Sequence, residues 1–213
     1  MAHEDAVLVA NAPLEWTARL ATLAAEAGTL LAADGGANHL ARLVLRPIRV
    51  IGDLDSLSDR TTAWLGEDCL VRRPDQDRTD LEKALEFAFD ELGVGSVVVL
   101  AALGGRPDHD LGNLGLLARR ALGERLVFEC SNHRVMALSG EAEWTARPGE
   151  TWSFWTFDPA VRVSLGGVRW PVEETPLDAS GRPSISNEAV ADRIHRRSDG
   201  GPGLVLRQGQ SQE

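Results

Sequence analysis

Lysine is almost missing from this chain. Of its 22 basic residues only Lys83 is a lysine, and the arginine excess reads as a genome-wide codon preference, not as the mark of a site. Cysteine is scarce too. Cys69 and Cys130 are far apart and in no metal-ligand spacing, and two cysteines in a chain this long argue for free, mostly buried thiols in a reducing, cytoplasmic setting. No apolar run reaches the roughly 18 residues that a membrane helix needs. The opening MAHEDAVLVANAP has no basic segment followed by an apolar one, so no secretory signal is expected. There is no repeat, no low-complexity tract and no GxxxxGK[ST] phosphate loop, and GGAN lacks the spacing of a dinucleotide fingerprint. Positive charge is in deficit. A net charge of −10 argues against non-specific nucleic-acid binding, which needs a basic face. It suits a cationic ligand, or a metal gathered before an anion can bind.

What is present is ordinary for a globular protein: 213 residues, 43% hydrophobic and 25% charged, enough for one large domain or two small ones. AVLVA from Ala6 reads as a buried strand, and Leu14 to Ala27 as a helix stopped by Gly28. LLAA from Leu30 is a strand running into Asp34-Gly35-Gly36, with a helix from about Ala37. Ile48 to Ile51 is a third strand, and SVVVLA from Ser96 is the clearest of all. Apolar runs without alternation, spaced by helices, predict a mostly parallel sheet flanked by helices. In TDLEKALEFAFDEL, Thr79 and Glu82 form a capping box, and Leu81, Ala84, Leu85, Ala88 and Leu92 share one helical face up to Gly93. After Ser139 the character changes. SGEAEWTARPGE reads as a linker or turn region, followed by short alternating segments such as TWSFWTF and VRVSL. The expectation is an α/β domain over 1–138 and a smaller antiparallel β-sandwich over 139–213.

Ligands of open parallel sheets bind beyond the carboxyl ends of the strands. There the sequence places ADGGAN, GDLDS and LGGRPDHD, with PDQDRTD opening the capped helix. That edge would hold Asp34, Asp53, Asp55, Asp75, Asp77, Asp80 and Asp108. Carboxylates brought together raise one another's pKa unless a cation sits among them, and oxygen ligands are what Mg²⁺ takes. Gly35-Gly36 and Gly104-Gly105 would let backbone N–H groups approach a phosphate, and Arg106 would complement its charge. Taken singly, each feature has a plainer account: a solvated turn, a helix cap, a core tryptophan. Their joint occurrence at the ends of successive strands favours a site.

ADGGANHL, GDLDS, PDQDRTDLEKAL and LGGRPDHDLGNL stand in the order and spacing of the thiamine pyrophosphokinase family, which the chain resembles from about Val7 to its last strand. GGVRWPVEETPL followed by SISNE resembles that family's thiamine-binding segment. The resemblance implies transfer of the β,γ-diphosphate of ATP to the hydroxyl of thiamine, giving thiamine diphosphate and AMP. It also implies Mg²⁺ and a homodimer, with no nucleic-acid or membrane partner. Carried over by motif, Asp53, Asp55 and Asp80 would hold the metal and act in catalysis. Asp34, Gly35, Gly36, Gln76, Thr79 and Arg106 would form the ATP and phosphate site. Asp108, Trp170, Ser186 and Asn187 would face thiamine. Two alternatives fit the aspartate loops: a Mg²⁺-dependent phosphotransferase acting on another heteroaromatic alcohol such as a pterin, and a non-catalytic thiamine or nucleotide sensor.

Overall fold

A computed structural model describes residues 5–209, which form two compact units. The first unit comprises residues up to Leu116 together with Glu124–Ser131. Its chain alternates strand and helix: β1 (Ala6–Val9), α1 (Ala18–Ala25), β2 (Leu30–Ala33), α2 (Gly36–Leu43), β3 (Arg49–Gly52), α3 (Asp59–Leu65), β4 (Leu70–Arg72), α4 (Asp80–Glu86), β5 (Ser96–Leu100), α5 (Pro107–Arg120) and β6 (Arg125–Glu129). The strands pair in the order β6-β5-β1-β2-β3-β4, every pair parallel. β1, β2 and β5 are buried along their whole length, which is why their sequences are unbroken apolar runs. Leu20, Leu40, Leu65 and Ala24 from the helices close over Val7, Val9, Ala32 and Val50.

Local chemistry sets the helix ends. Thr17, Ser58 and Thr79 each accept a hydrogen bond from the backbone N–H three residues on. α1 begins at Ala18 and not at the expected Leu14, because the Thr17 hydroxyl caps Leu20 N–H. The helix opened by Thr79 loosens into a π turn over Phe87–Glu91 before Gly93, whose φ of 68° lets the chain turn. α5 opens on Pro107, where a missing N–H costs nothing.

The second unit contains β7 (His133–Leu138), β8 (Ala142–Thr145), β9 (Thr151–Thr156), β10 (Arg162–Gly166), β11 (Val172–Pro176), β12 (Ser184–Glu188), β13 (Arg193–Ser198) and β14 (Gly203–Gln208). Four strands run β12-β9-β14-β7 and four run β11-β10-β13-β8, all antiparallel. Trp152, Phe154 and Val205 from the first set meet Val163, Leu165 and Ile194 from the second. The second unit takes in Leu117–Gly123 as well as the chain from Asn132, where β7 pairs with β14 over six residues. The stretch expected as a linker contains β8. AEWT is a strand because it pairs with β13, and its Trp144 ring lies 5.6 Å from that of Trp152.

Candidate active site

Three carboxylates converge at the carboxyl edge of the first unit's sheet. Asp34 follows β2, Asp53 follows β3 and Asp80 opens α4, and each offers an oxygen within 4.8 Å of the others. Two glycines permit this. A Cβ on Gly36 would lie 2.0 Å from the carbonyl oxygen of Val9, so α2 can start against the end of β1 only without one. A Cβ on Gly52 would meet Asp34 Cβ at 2.8 Å and Asp80 Oδ1 at 3.1 Å, so the bare backbone of β3 lets the two acids close from either side. The same edge carries strain. Asp34, Leu54 and Ala101 are non-glycine residues with φ of 42°, 70° and 55°, and each lies just past a strand. Such residues cost about 1–3 kcal/mol and cluster where loops serve a site.

Asp34 is 2% exposed. Its Oδ2 accepts Ser56 N–H at 3.2 Å, while its Oδ1 is buried without a partner. Burial pushes its pKa up, and the nearby Asp80 charge adds to that. Asp53 is different. The Asp55 N–H donates to Asp53 Oδ1 at 3.2 Å and Gln76 Nε2 to Oδ2 at 3.3 Å, and these hydrogen bonds hold its pKa down. Asp80 Oδ1 accepts Asp53 N–H at 3.3 Å and Lys83 Nζ at 3.1 Å. The three line a cleft of about 660 Å³, shared with Asn11, Gln76, Arg78, Thr79, Arg106 and His109.

Residues 20–128 match the family described as thiamin pyrophosphokinase, catalytic domain. Thiamine pyrophosphokinase 2 of Arabidopsis thaliana is 34% identical over 206 residues, covering 79% of this chain and 74% of that protein. The chain belongs to the thiamin pyrophosphokinase family. Thiamine pyrophosphokinase 1 of rice is 27% identical over 206 residues, covering 78% of this chain and 74% of the relative. The crystal structure of thiamine pyrophosphokinase from Bacillus subtilis superposes with a TM-score of 0.82 at 22% identity, over 96% of this chain and 99% of that one. The Candida albicans enzyme gives 0.82 at 15% identity, over 96% and 90%. At these identities the structural likeness establishes the fold alone.

Within this thiamin pyrophosphokinase fold, the residues expected from sequence fall into three groups. Asp34, Asp53 and Asp80 come together with Gln76, while Gly35 and Gly36 form the buried turn beneath them. Asp55 stands apart from the three-carboxylate group. It is exposed, and its side chain accepts from Ser56 Oγ. Asp75 is likewise engaged elsewhere, paired with Arg78, and Thr79 is occupied as a helix cap. Arg106 and Asp108 pair with each other through Nε–Oδ1 at 3.1 Å and Nη2–Oδ2 at 2.6 Å. The guanidinium holds the Asp108 pKa down at about 2. At Gly104-Gly105, expected to let backbone N–H groups approach a phosphate, Asp110 accepts Gly104 N–H at 3.1 Å and Gly105 N–H at 3.4 Å.

In the second unit Trp170 is 58% exposed, not a core residue, and Arg169 lies 5.8 Å from its ring centroid. Ser186 is exposed with φ of 54°. Asn187 is buried, and both ends of its amide are engaged. Nδ2 donates to Trp170 O at 2.8 Å and Ser184 Oγ at 3.1 Å. Oδ1 accepts Trp170 N–H at 3.1 Å and Glu188 N–H at 3.0 Å. Its hydrogen-bonding capacity is thereby filled within the protein. Sequence reasoning missed Gly52, Asp110 and Asn38. Asn38 accepts Ser58 N–H at 3.1 Å and donates to Ser56 O at 2.8 Å, pinning the GDLDS loop to α2. The asparagine in ADGGAN was the available signal, as was Asp110 five and six residues after the glycines it caps; for Gly52 the contacts with Asp34 and Asp80 are long-range.

Proposed function

We propose that this protein transfers the β,γ-diphosphate of ATP to the hydroxyl of thiamine, releasing AMP. The observation that supports this best is the convergence of Asp34, Asp53 and Asp80 at one sheet edge inside the segment that matches the family's catalytic domain. The residues present suit Mg²⁺. The donors are all carboxylate oxygens, and Asp34 Oδ1 is a buried carboxyl oxygen with no protein partner. We assign Asp34, Asp53 and Asp80 as the residues that would hold the ion, with Asp55 in the loop that orients Asp53 through its N–H. When bound, the ion would neutralise charge on the transferring phosphates.

The chain's own groups supply the remainder. Gln76 and the Asp55 N–H keep Asp53 ionised and oriented. Asp110 braces the Gly104–Gly105 turn so that Arg106 is carried at the mouth of the cleft. Opening the Arg106–Asp108 pair would free a planar donor fork for phosphate and a carboxylate for the aminopyrimidine of thiamine. The exposed indole of Trp170 offers a face to the cationic thiazolium or the pyrimidine. A homodimer belongs to the same reading, and sedimentation would report it at twice the chain mass. The deciding experiment mixes purified protein with ATP, Mg²⁺ and thiamine and follows both products. AMP and thiamine diphosphate in equal amounts support the proposal. ADP with thiamine monophosphate would replace it with simple phosphoryl transfer.

A further inference from the structure

In a chain that otherwise uses arginine for every strong base, the single lysine is buried, with Lys83 only 4% exposed. It lies one turn beyond Asp80 on α4, so the helix itself aims its ammonium back at that carboxylate. A buried ammonium is costly unless paired, and Lys83 is paired at 3.1 Å with Asp80 Oδ1. That oxygen also accepts Asp53 N–H, so both of its acceptor directions are taken by the protein. Arginine would not substitute simply, since its planar fork spans two oxygens where this contact is a point charge on one.

We propose that Lys83 is a positioning residue of the cation site, a role that rests on the cation reading of Asp34, Asp53 and Asp80. Lys83, with Asp53 N–H, holds the Asp80 carboxylate through Oδ1 and so fixes its orientation within the group. Asp34, Asp53 and Asp80 each keep a carboxylate oxygen within 4.8 Å of the others, with Lys83 the buried cation beside them, so the folded chain should take one divalent ion without nucleotide. Lys83 acts on the reaction through Asp80 and not by touching substrate.

The test titrates Mn²⁺ alone into the full-length protein, reading free Mn²⁺ by electron paramagnetic resonance, with turnover measured in parallel. Wild type should bind one Mn²⁺ per chain in the absence of nucleotide. Lys83→Met, of similar length and uncharged, should bind Mn²⁺ several-fold more tightly, because a repelling charge is gone. Its kcat should fall by at least about tenfold, because Asp80 is no longer held, with the KM for thiamine unchanged. Lys83→Arg should return the Mn²⁺ affinity towards wild type. A purely structural role would move affinity and kcat downward together, and that result overturns the proposal. So does an unaltered kcat in Lys83→Met, or a wild-type protein that binds no Mn²⁺ without nucleotide. If Lys83→Met does not fold, Lys83→Gln carries the same comparison. A wild type that binds Mn²⁺ yet makes no thiamine diphosphate would sink the proposed reaction and leave the role of Lys83 standing.

Discussion

Asp34 shows in one side chain the conflict between stability and function. It is an acid with a buried oxygen that no protein group satisfies, and burial raises its pKa. Asp34→Asn should therefore stabilise the metal-free protein, by about 1–2 kcal/mol, while abolishing its response to the ion. Thermal melts with and without Mg²⁺ check this. Wild type should melt higher with Mg²⁺, and Asp34→Asn should melt higher than metal-free wild type and ignore Mg²⁺. A retained Mg²⁺ shift would remove Asp34 from the ligand set. The thiols make a second residue-scale test. Burial raises the pKa of both, with Cys130 pushed up to about 11. A raised thiol pKa keeps the unreactive protonated form until pH approaches that value, so at pH 8 only about 0.1% of Cys130 is thiolate. A colorimetric thiol reagent should find neither cysteine in the native protein and both after denaturation. At this scale the sequence was informative about residue type and poor about partners. The convergence of Asp53 and Asp80 follows from the loops that carry them, whereas the position of Asp55 outside that group, past Leu54 at φ 70°, is a matter of three-dimensional placement.

At the scale of elements, the local signals held where they were self-contained. The fully buried strands, the Thr79 cap and the stop at Gly93 are written within a few residues each. β8 was not legible, because it is made a strand by pairing with β13 and by Trp144 meeting Trp152, both distant in sequence. The turn after β5 shows the same limit. Its glycines suggested open N–H groups, but the first turn of α5 returns Asp110 to cap them. Asp110→Ala should therefore loosen the segment that carries Arg106 without unfolding the helix. The expected result is a KM for ATP raised about tenfold and a melting free energy changed by no more than about 1 kcal/mol. Steady-state kinetics beside a denaturant curve separates the two, and equal loss of both would make Asp110 a structural residue. The β12 segment allows a parallel argument. Asn187 clamps the Trp170 backbone from both sides, so if the indole faces thiamine as proposed, Asn187→Ala should weaken thiamine binding through it. The KM for thiamine should rise severalfold with that for ATP unchanged, and Trp170→Ala in the same protein should add little further loss.

For the whole molecule, the sheet of the first unit was readable because a buried parallel strand must be apolar on both faces. The limit between units was less so, since β7 joins the second unit by pairing with β14 and not by any break in composition. Net charge was legible without any structure, and it bears on how a nucleotide arrives. The chain carries −10 overall, and the cleft sets Asp34, Asp53, Asp80 and Asp110 against Lys83, Arg78 and Arg106. Arg78 and Arg106 are already engaged with Asp75, Glu86 and Asp108. A tetra-anionic nucleotide without a metal thus meets repulsion at long range and unneutralised carboxylates at short range. Binding of ATP in a chelator should be at least about a hundredfold weaker than binding with Mg²⁺, a difference of about 2.7 kcal/mol. The two contributions separate by ionic strength. The long-range part is screened over about 10 Å at 0.1 M salt, so adding salt should strengthen metal-free ATP binding slightly, whereas the short-range part persists. Calorimetric titration of ATP at low and moderate salt, with and without Mg²⁺, measures both. Metal-free binding that equals binding with Mg²⁺ would mean that the carboxylates do not face the phosphates.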